Sequence, residues 1–389
     1  MKFKSGVIAL ALAGLAAGGS ALAQTQGVSK TEIVIGSMQD LSGPLVGFSK
    51  QLVNGMNMRV EEQNALGGVN GRKLKLVIED SGYDPKKAVL ATQKLVQKDK
   101  IFAMVGTIGT PVALPSMPIL FEKNIPHLFP LTAAREMYEP LHKLKYSTAA
   151  TYYDQIRAGV KMLVKQKGAK KVCTMYQDDD FGLEVMRGAE AGLKEINQVL
   201  AEKTTYKRGA TDFSSQVSRM KDAGCDFVVL GTIIRETIGA IGTARKLGWN
   251  VDFMGSSASY TELIHKLGGP AMNGFYSTNT VNMPYLDDAS KNVRDWANRY
   301  KGSFKEDPGV FSVYGYQVID LFTQIASKTG PNLTTDTFIN TLDSFTAPRD
   351  MFGADTFSFT KTKHLGSNRA RLSQIVNGKW TALSDYITE

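Results

Sequence analysis

Chemistry needs reactive side chains at workable spacing, and few stretches of this 389-residue chain offer them. Gly106-Thr107-Ile108-Gly109-Thr110 follows a strand-like run and precedes a helical one, as a phosphate cradle does. It lacks the lysine of a P-loop and the third glycine of a dinucleotide fingerprint. Gly255-Ser256-Ser257-Ala258-Ser259 has serine where a nucleophile elbow needs its last glycine. The histidines, His127, His142, His265 and His364, form no local ligand pair, which argues against zinc. Cys173 and Cys225 each adjoin an apolar strand-like run, so two buried thiols are the favoured reading, although an oxidising compartment permits a bridge. With no triad and no metal cluster, an enzyme reading has no residues to stand on, and no cofactor is expected. What remains is binding chemistry: hydroxyls and free amides on turns between strands and helices.

The elements that must position those turns begin after a leader. Lys2 and Lys4 precede a short apolar run over 6–17, and Ala21-Leu22-Ala23 gives the small-x-small pattern of a secretory signal peptide. Residues 1–23 are therefore expected to be removed after Ala23, delivering the chain to the periplasm. No cysteine follows to take a lipid, and no later run is long enough for a membrane span. The net charge of +9 falls by two when the leader lysines go, and the remaining basic residues are scattered singly or in pairs. A solvated surface explains them, and no nucleic-acid partner is expected.

Strand and helix patterns then alternate. The run 32–36 is β-branched, and Leu52, Met56 and Val60 follow at helical spacing over 48–64. Gly67-Gly68-Val69-Asn70-Gly71 ends that helix and turns into a strand at 74–79, and Pro85 opens the next helix. Strands at 102–106 and 125–129 flank a helix at 111–122, with a short helical piece from Ala133. A second series repeats the design from Tyr153 to Gly255. Helices at 287–304, 314–327 and 335–342 follow, and the tail alternates as an antiparallel ribbon with a turn at Asn377-Gly378. The pattern predicts an α/β fold of two doubly wound, Rossmann-like lobes, with the ligand at the strand ends between them.

The motifs narrow the class. Leu41-Ser42-Gly43-Pro44, the run from Asn64 to Arg72, Glu79-Asp80 with Asp84-Pro85, Val105-Gly106-Thr107, Gln177-Asp178-Asp179-Asp180-Phe181-Gly182 and Ala244-Arg245-Lys246-Leu247-Gly248 fall along nearly the whole mature chain. In these residues the sequence resembles the type I periplasmic solute-binding proteins of ABC importers, in the branched-chain amino acid (Leu/Ile/Val)-binding group. The resemblance implies a hinged clamp with three crossovers, expected near 147–152, 277–284 and 345–353. It divides the chain into a first lobe of 24–148 plus 280–346 and a second of 149–279 plus 347–389. It also implies a monomer that delivers a small solute to membrane permease subunits and binds no ATP itself.

By the same similarity, the first lobe is expected to contribute Phe48, Thr107, Gly109, Thr110, Thr132 and Ala133 to the ligand site. Tyr153 and Gln155 come from the crossover, and Phe181, Thr232, Arg235 and Ser257 from the second lobe. Phe181 is expected to cover the solute and Arg235 to pair with a carboxylate. One departure bears on the substrate. Amino-acid-binding relatives place an acidic residue after the strand ending at Gly255, where this chain reads Ser256-Ser257-Ala258-Ser259. An ammonium buried without a carboxylate is strongly disfavoured unless Asp180 or Glu262 substitutes. The expected solute is therefore an organic acid, with an aromatic acid first in view of Phe48, Tyr152, Tyr153, Phe181 and Tyr260. The alternatives are a branched-chain amino acid or amide, a clamp that feeds a chemoreceptor or kinase, and a secreted two-lobed enzyme.

Overall fold

A computed structural model describes residues 25–387, so the expected leader and its cleavage site lie outside the described residues. The first sheet grows from local βα units. β1 (Glu32–Gln39) leads to α1 (Val46–Ala65), and β2 (Lys73–Asp80) to α2 (Pro85–Gln97). β3 (Ala103–Val105) precedes α3 (Thr110–Glu122), and the short β4 (His127–Leu128) and β5 (Lys145–Tyr146) complete the sheet. Boundaries follow side-chain chemistry: Asp84 caps α2 by accepting from the N–H groups of Lys86 and Lys87, and Pro85 supplies a ready helical φ. The strands are parallel in the order β2-β1-β3-β4-β5. β4 stops short of the strand expected over 125–129 because Phe129 adopts a left-handed φ of 51°. The helical piece expected from Ala133 is one 3-10 turn, Arg135–Met137.

The second series runs through α4 (Tyr152–Lys167), β6 (Val172–Gln177), α5 (Asp180–Lys194), β7 (Leu200–Tyr206), α6 (Ser214–Asp222) and β8 (Phe227–Gly231). It continues with α7 (Ile234–Lys246), β9 (Asp252–Gly255), α8 (Glu262–Gly268) and β10 (Tyr276–Asn279). Then come α9 (Lys291–Phe304), α10 (Val310–Thr329), α11 (Thr335–Leu342), the short pair β11 (Thr346–Ala347) and β12 (Phe357–Ser358), and the hairpin β13 (Arg371–Val376) and β14 (Lys379–Ala382). The second sheet has the order β14-β13-β10-β9-β8-β6-β7, parallel except where β13 meets β10 and β14. Asn377 and Gly378 both take positive φ, as a tight hairpin turn requires.

Chain crossings tie the two lobes. After β5 the chain enters α4, which packs on α5 in the second lobe. After β10 it returns, and α10 lies along α1 so closely that a Cβ on Gly55 would stand 2.0 Å from the Ser312 carbonyl oxygen, and one on Gly315 2.1 Å from that of Leu52. Only glycine at both positions permits that crossing. The segment after α11 stays with the first lobe: Phe359 packs on Phe129 and Tyr146, and Ser147 pairs with Leu365.

One reading is corrected outright. Cys173 and Cys225 are joined in a disulfide with Cα atoms 5.9 Å apart, where two separate thiols were favoured. The cause is topological: β6 and β8 are neighbours, so Cys225, just before β8, comes beside Cys173. Among the described residues, no helix is long and apolar enough to cross a membrane.

Candidate functional site

Each sheet reverses its winding at one place, between β1 and β3 in the first lobe and between β6 and β8 in the second. Loops diverge there, leaving a crevice at the strand ends. In this structure the crevices combine in one cavity of about 830 Å3, counting its open mouth, lined from both lobes.

The first-lobe wall is built by turns. The Asp40 carboxylate accepts from the N–H groups of Gly43 and Leu45, each at 2.6 Å, which shapes the loop after β1 and starts α1 so that Phe48 faces the cavity. Phe48 stacks on Phe311 at 3.9 Å between ring centres. After β3, Gly109 sits at φ 94° as the N-cap of α3, with no side chain bonded to the helix end. Here glycine is required twice over, because a Cβ would also stand 2.5 Å from the Tyr83 ring. Pro111 has no N–H and that of Val112 turns back to the Gly109 carbonyl at 3.4 Å, so the Thr110 N–H is the helix-end donor left over, and the Gly109–Thr110 end presents the positive pole of α3 to the cavity. Thr110 and Thr132 share a hydroxyl hydrogen bond of 2.5 Å, which ties that helix end to the loop after β4.

The second-lobe wall carries Phe181. Asp179 caps α5 by accepting from the N–H of Phe181 at 3.1 Å, which fixes Phe181 in the first turn. Its ring meets Tyr152 edge-on at 5.1 Å and is only 4% exposed. Ile233, Ser257 and Ala258 complete this side, while Thr280, Tyr314 and Gln317 line the hinge side. Burial pushes the Tyr314 hydroxyl up to about 12 and raises those of Tyr83 and Tyr152 as well. All three therefore remain neutral donors near neutral pH.

Of the residues expected from sequence, the structure brings Phe48, Gly109, Thr110, Thr132, Ala133, Phe181 and Ser257 to the cavity wall. The others lie elsewhere. Thr107 is wholly buried behind β3. Gln155 braces the wall from behind: its Oε1 accepts from the Ser257 N–H and the Thr278 hydroxyl, and its Nε2 donates to the Ala150 carbonyl. Thr232 bonds to Thr237. Tyr153 lies beneath the Arg135 guanidinium. Arg235 is exposed, because α7 begins at Ile234 and each residue turns the side chain by about 100° away from the wall that Ile233 forms. Sequence reasoning did not place Tyr83, Phe311, Tyr314, Gln317 or Phe357 in the site. A stripe at three-residue spacing, Phe311-Tyr314-Gln317, was the available clue to one helix face.

The electrostatics of the wall are plain. No aspartate, glutamate, lysine, arginine or histidine lines this cavity among the described residues. Asp180 is exposed, and Glu262 is buried away from the lining, bonded to Gln51 at 2.5 Å. Neither supplies a counter-charge. Among the described residues, no group of metal-ligating side chains occurs.

Two doubly wound lobes whose winding reversals share one ligand-sized, uncharged cleft define a solute-binding clamp. The chain belongs to the periplasmic binding protein family, whose model matches residues 32–379. Its members bind solutes and are not enzymes. The Leu/Ile/Val-binding protein of Escherichia coli K12 is 26% identical over 268 residues, which are 69% of this chain and 73% of that protein. Among solved structures, a fatty acid ABC transporter substrate-binding protein from Thermomonospora curvata matches with a TM-score of 0.84 at 21% identity, covering 94% of this chain and 95% of that one. A solute-binding protein of an ABC transporter from R. palustris, in complex with benzoate, matches with a TM-score of 0.80 at 19% identity, covering 92% and 97%. At such identities these structures speak to the fold.

Proposed function

We propose that this chain captures a small monocarboxylate with an apolar, preferably aromatic, body, as the periplasmic component of an ABC importer. The observation that carries this reading is the cavity wall: aromatic and aliphatic on most sides, with hydroxyls, the Gln317 amide and a helix N-terminus as its polar groups, and with no charged side chain among the described residues. An α-amino acid brings a cation and an anion. The anion has a home at Gly109–Thr110, where the helix-end amide and one hydroxyl of the hydrogen-bonded Thr110–Thr132 pair can donate. The ammonium has none, and burying it unpaired costs several kcal/mol. A monocarboxylate leaves no such charge stranded.

On this reading Phe48 with Phe311 forms one face for the ligand body, and Phe181 with Tyr152 the opposing cover. Gly109, Thr110, Thr132 and Ala133 gather at the carboxylate end, and Ser257 completes the second-lobe wall. The R. palustris neighbour of the same fold, in complex with benzoate, supports this reading. Residues 1–23 serve as the export leader. The mature chain works as a monomer that presents its closed form to permease subunits, and ATP is bound by other subunits.

The E. coli relative's name favours a second reading, a branched-chain amino acid. One screen separates them. Thermal unfolding of the mature chain is followed with benzoate, hexanoate, leucine and valine, because a ligand bound only by the folded form raises the midpoint. A shift with benzoate and none with leucine supports the carboxylate reading. A leucine shift without response to either acid overturns the substrate class and leaves the clamp intact.

A further inference from the structure

We propose that Arg135 and Glu184 form a latch between the lobes that sets the affinity for every ligand of the cleft without touching any of them. The inference rests on the clamp reading and not on which acid is bound.

Arg135 lies in the 3-10 turn between β4 and β5, on the first lobe, and Glu184 on α5, on the second. The guanidinium grips the carboxylate with two parallel bonds, Nε to Oε2 at 2.9 Å and Nη2 to Oε1 at 2.7 Å. The Arg135 backbone N–H adds a longer contact to Oε2 at 3.4 Å. The guanidinium also lies over the ring of Tyr153, on α4, at 4.2 Å. One first-lobe side chain is thus held by two second-lobe helices. The Glu184 side chain is 1% exposed and that of Arg135 32%, so the pair is sheltered on its acidic side and open on its basic side. Neither residue lines the cavity.

Its place explains what it does. Ala133, two residues before Arg135, is in the cavity wall, and Phe181 is one helical turn before Glu184 on the same face of α5. Joining Arg135 to Glu184 therefore brings the cover ring into register over the carboxylate end. Other polar contacts cross the cleft, among them Gln51 to Glu262, Gln177 to the Tyr83 hydroxyl at 3.2 Å and Arg208 to the Tyr83 carbonyl at 3.1 Å, but none of these pairs opposite charges. When the lobes part, Glu184 keeps a cationic neighbour in Arg187, whose Nη1 is 3.7 Å away on its own helix. Opening does not strand the carboxylate, so the pair can break and re-form in a working cycle.

A ligand that binds only the closed form has an apparent dissociation constant equal to its intrinsic constant divided by the closed fraction. Weakening the latch lowers that fraction once, for all ligands. Losing one partner of an interfacial charge pair acts mainly on the dissociation rate. Arg135→Gln and Glu184→Gln are each expected to weaken benzoate and hexanoate by a common factor of about tenfold, with faster release. Arg135→Lys, which keeps the charge but not the paired geometry, falls between. The double variant is expected to lose much less than the product of the two single losses, because either change already breaks the pair.

The test measures dissociation constants of both acids by calorimetry and release by stopped flow for these variants. It adds a spin-label distance between Lys86→Cys and Lys207→Cys, exposed positions on opposite lobes, in ligand-free protein. A common factor for both acids, together with longer label distances in Glu184→Gln and Arg135→Gln, bears the latch out. Different factors for the two acids, or an unchanged distance distribution in both variants, overturns it. If neither acid binds the parent protein, the substrate reading fails, while the distance measurement still decides the latch.

Discussion

Replacing Phe181 with alanine removes the proposed cover of the cleft while sparing the backbone that carries it. The Asp179 cap bonds to the main chain of Phe181 and Gly182, not to the ring, so α5 keeps its start. The ring is 4% exposed and meets Tyr152 edge-on. Burying a phenylalanine ring is worth about 1.5–3 kcal/mol, and an aromatic pair adds about 0.5–1.5 kcal/mol. Part of this is realised against Tyr152 without ligand. The share that depends on an aromatic guest is about 2 kcal/mol, which corresponds to a loss of affinity of about thirtyfold. Calorimetric titration of the variant with benzoate measures this directly, and thermal unfolding without ligand shows whether the fold is kept. A dissociation constant within about threefold of the parent, in a protein that unfolds at the parent's temperature, would refute the assignment of Phe181 as the cover.

Two further outcomes are expected. Ser257→Asp places a carboxylate on the second-lobe wall and so supplies the counter-charge the cleft lacks; benzoate binding should weaken at least tenfold and leucine should begin to raise the unfolding midpoint, both read in one thermal-shift series. His127 lies fully buried in β4 with neither ring nitrogen hydrogen-bonded among the described residues, and burial, with Lys145 nearby, pushes its pKa from 6.5 down to about 3. The unfolded chain takes up the proton first, so stability falls as pH drops below 6.5 and the loss levels off near 3, at about 1.4 kcal/mol per pH unit in between. His127→Leu should flatten that slope in urea unfolding at pH 7 and pH 5; an unchanged slope would contradict the buried neutral imidazole.

Much of the fold is legible because each βα unit is local. The β-branched run at the start of β1, and the Asp84-Pro85 opening of α2, declare themselves within a few residues. β5 does not, because two residues become a strand only through pairing with β4. The disulfide is hidden for a similar reason, since it depends on β6 and β8 being neighbours. In the site, residues on turns directly after strands, such as Gly109, Thr132 and Phe181, could be placed from the βα pattern and the family resemblance. Phe311, Tyr314 and Gln317 could not, because they reach the cleft only through the close crossing of α10 on α1 at Gly55 and Gly315. Arg235 shows the limit from the other side: being next to a strand end is not enough when the phase of the following helix turns the side chain to solvent.

The most direct measurement is a crystal structure of the mature protein grown with benzoate. The account predicts the ring between Phe48 and Phe181, with its carboxylate at the Gly109–Thr110 end of α3 and no charged side chain in contact. Benzoate bound outside the interlobe cleft, or a cleft that instead retains an amino acid with its ammonium paired to a side-chain carboxylate, would contradict it.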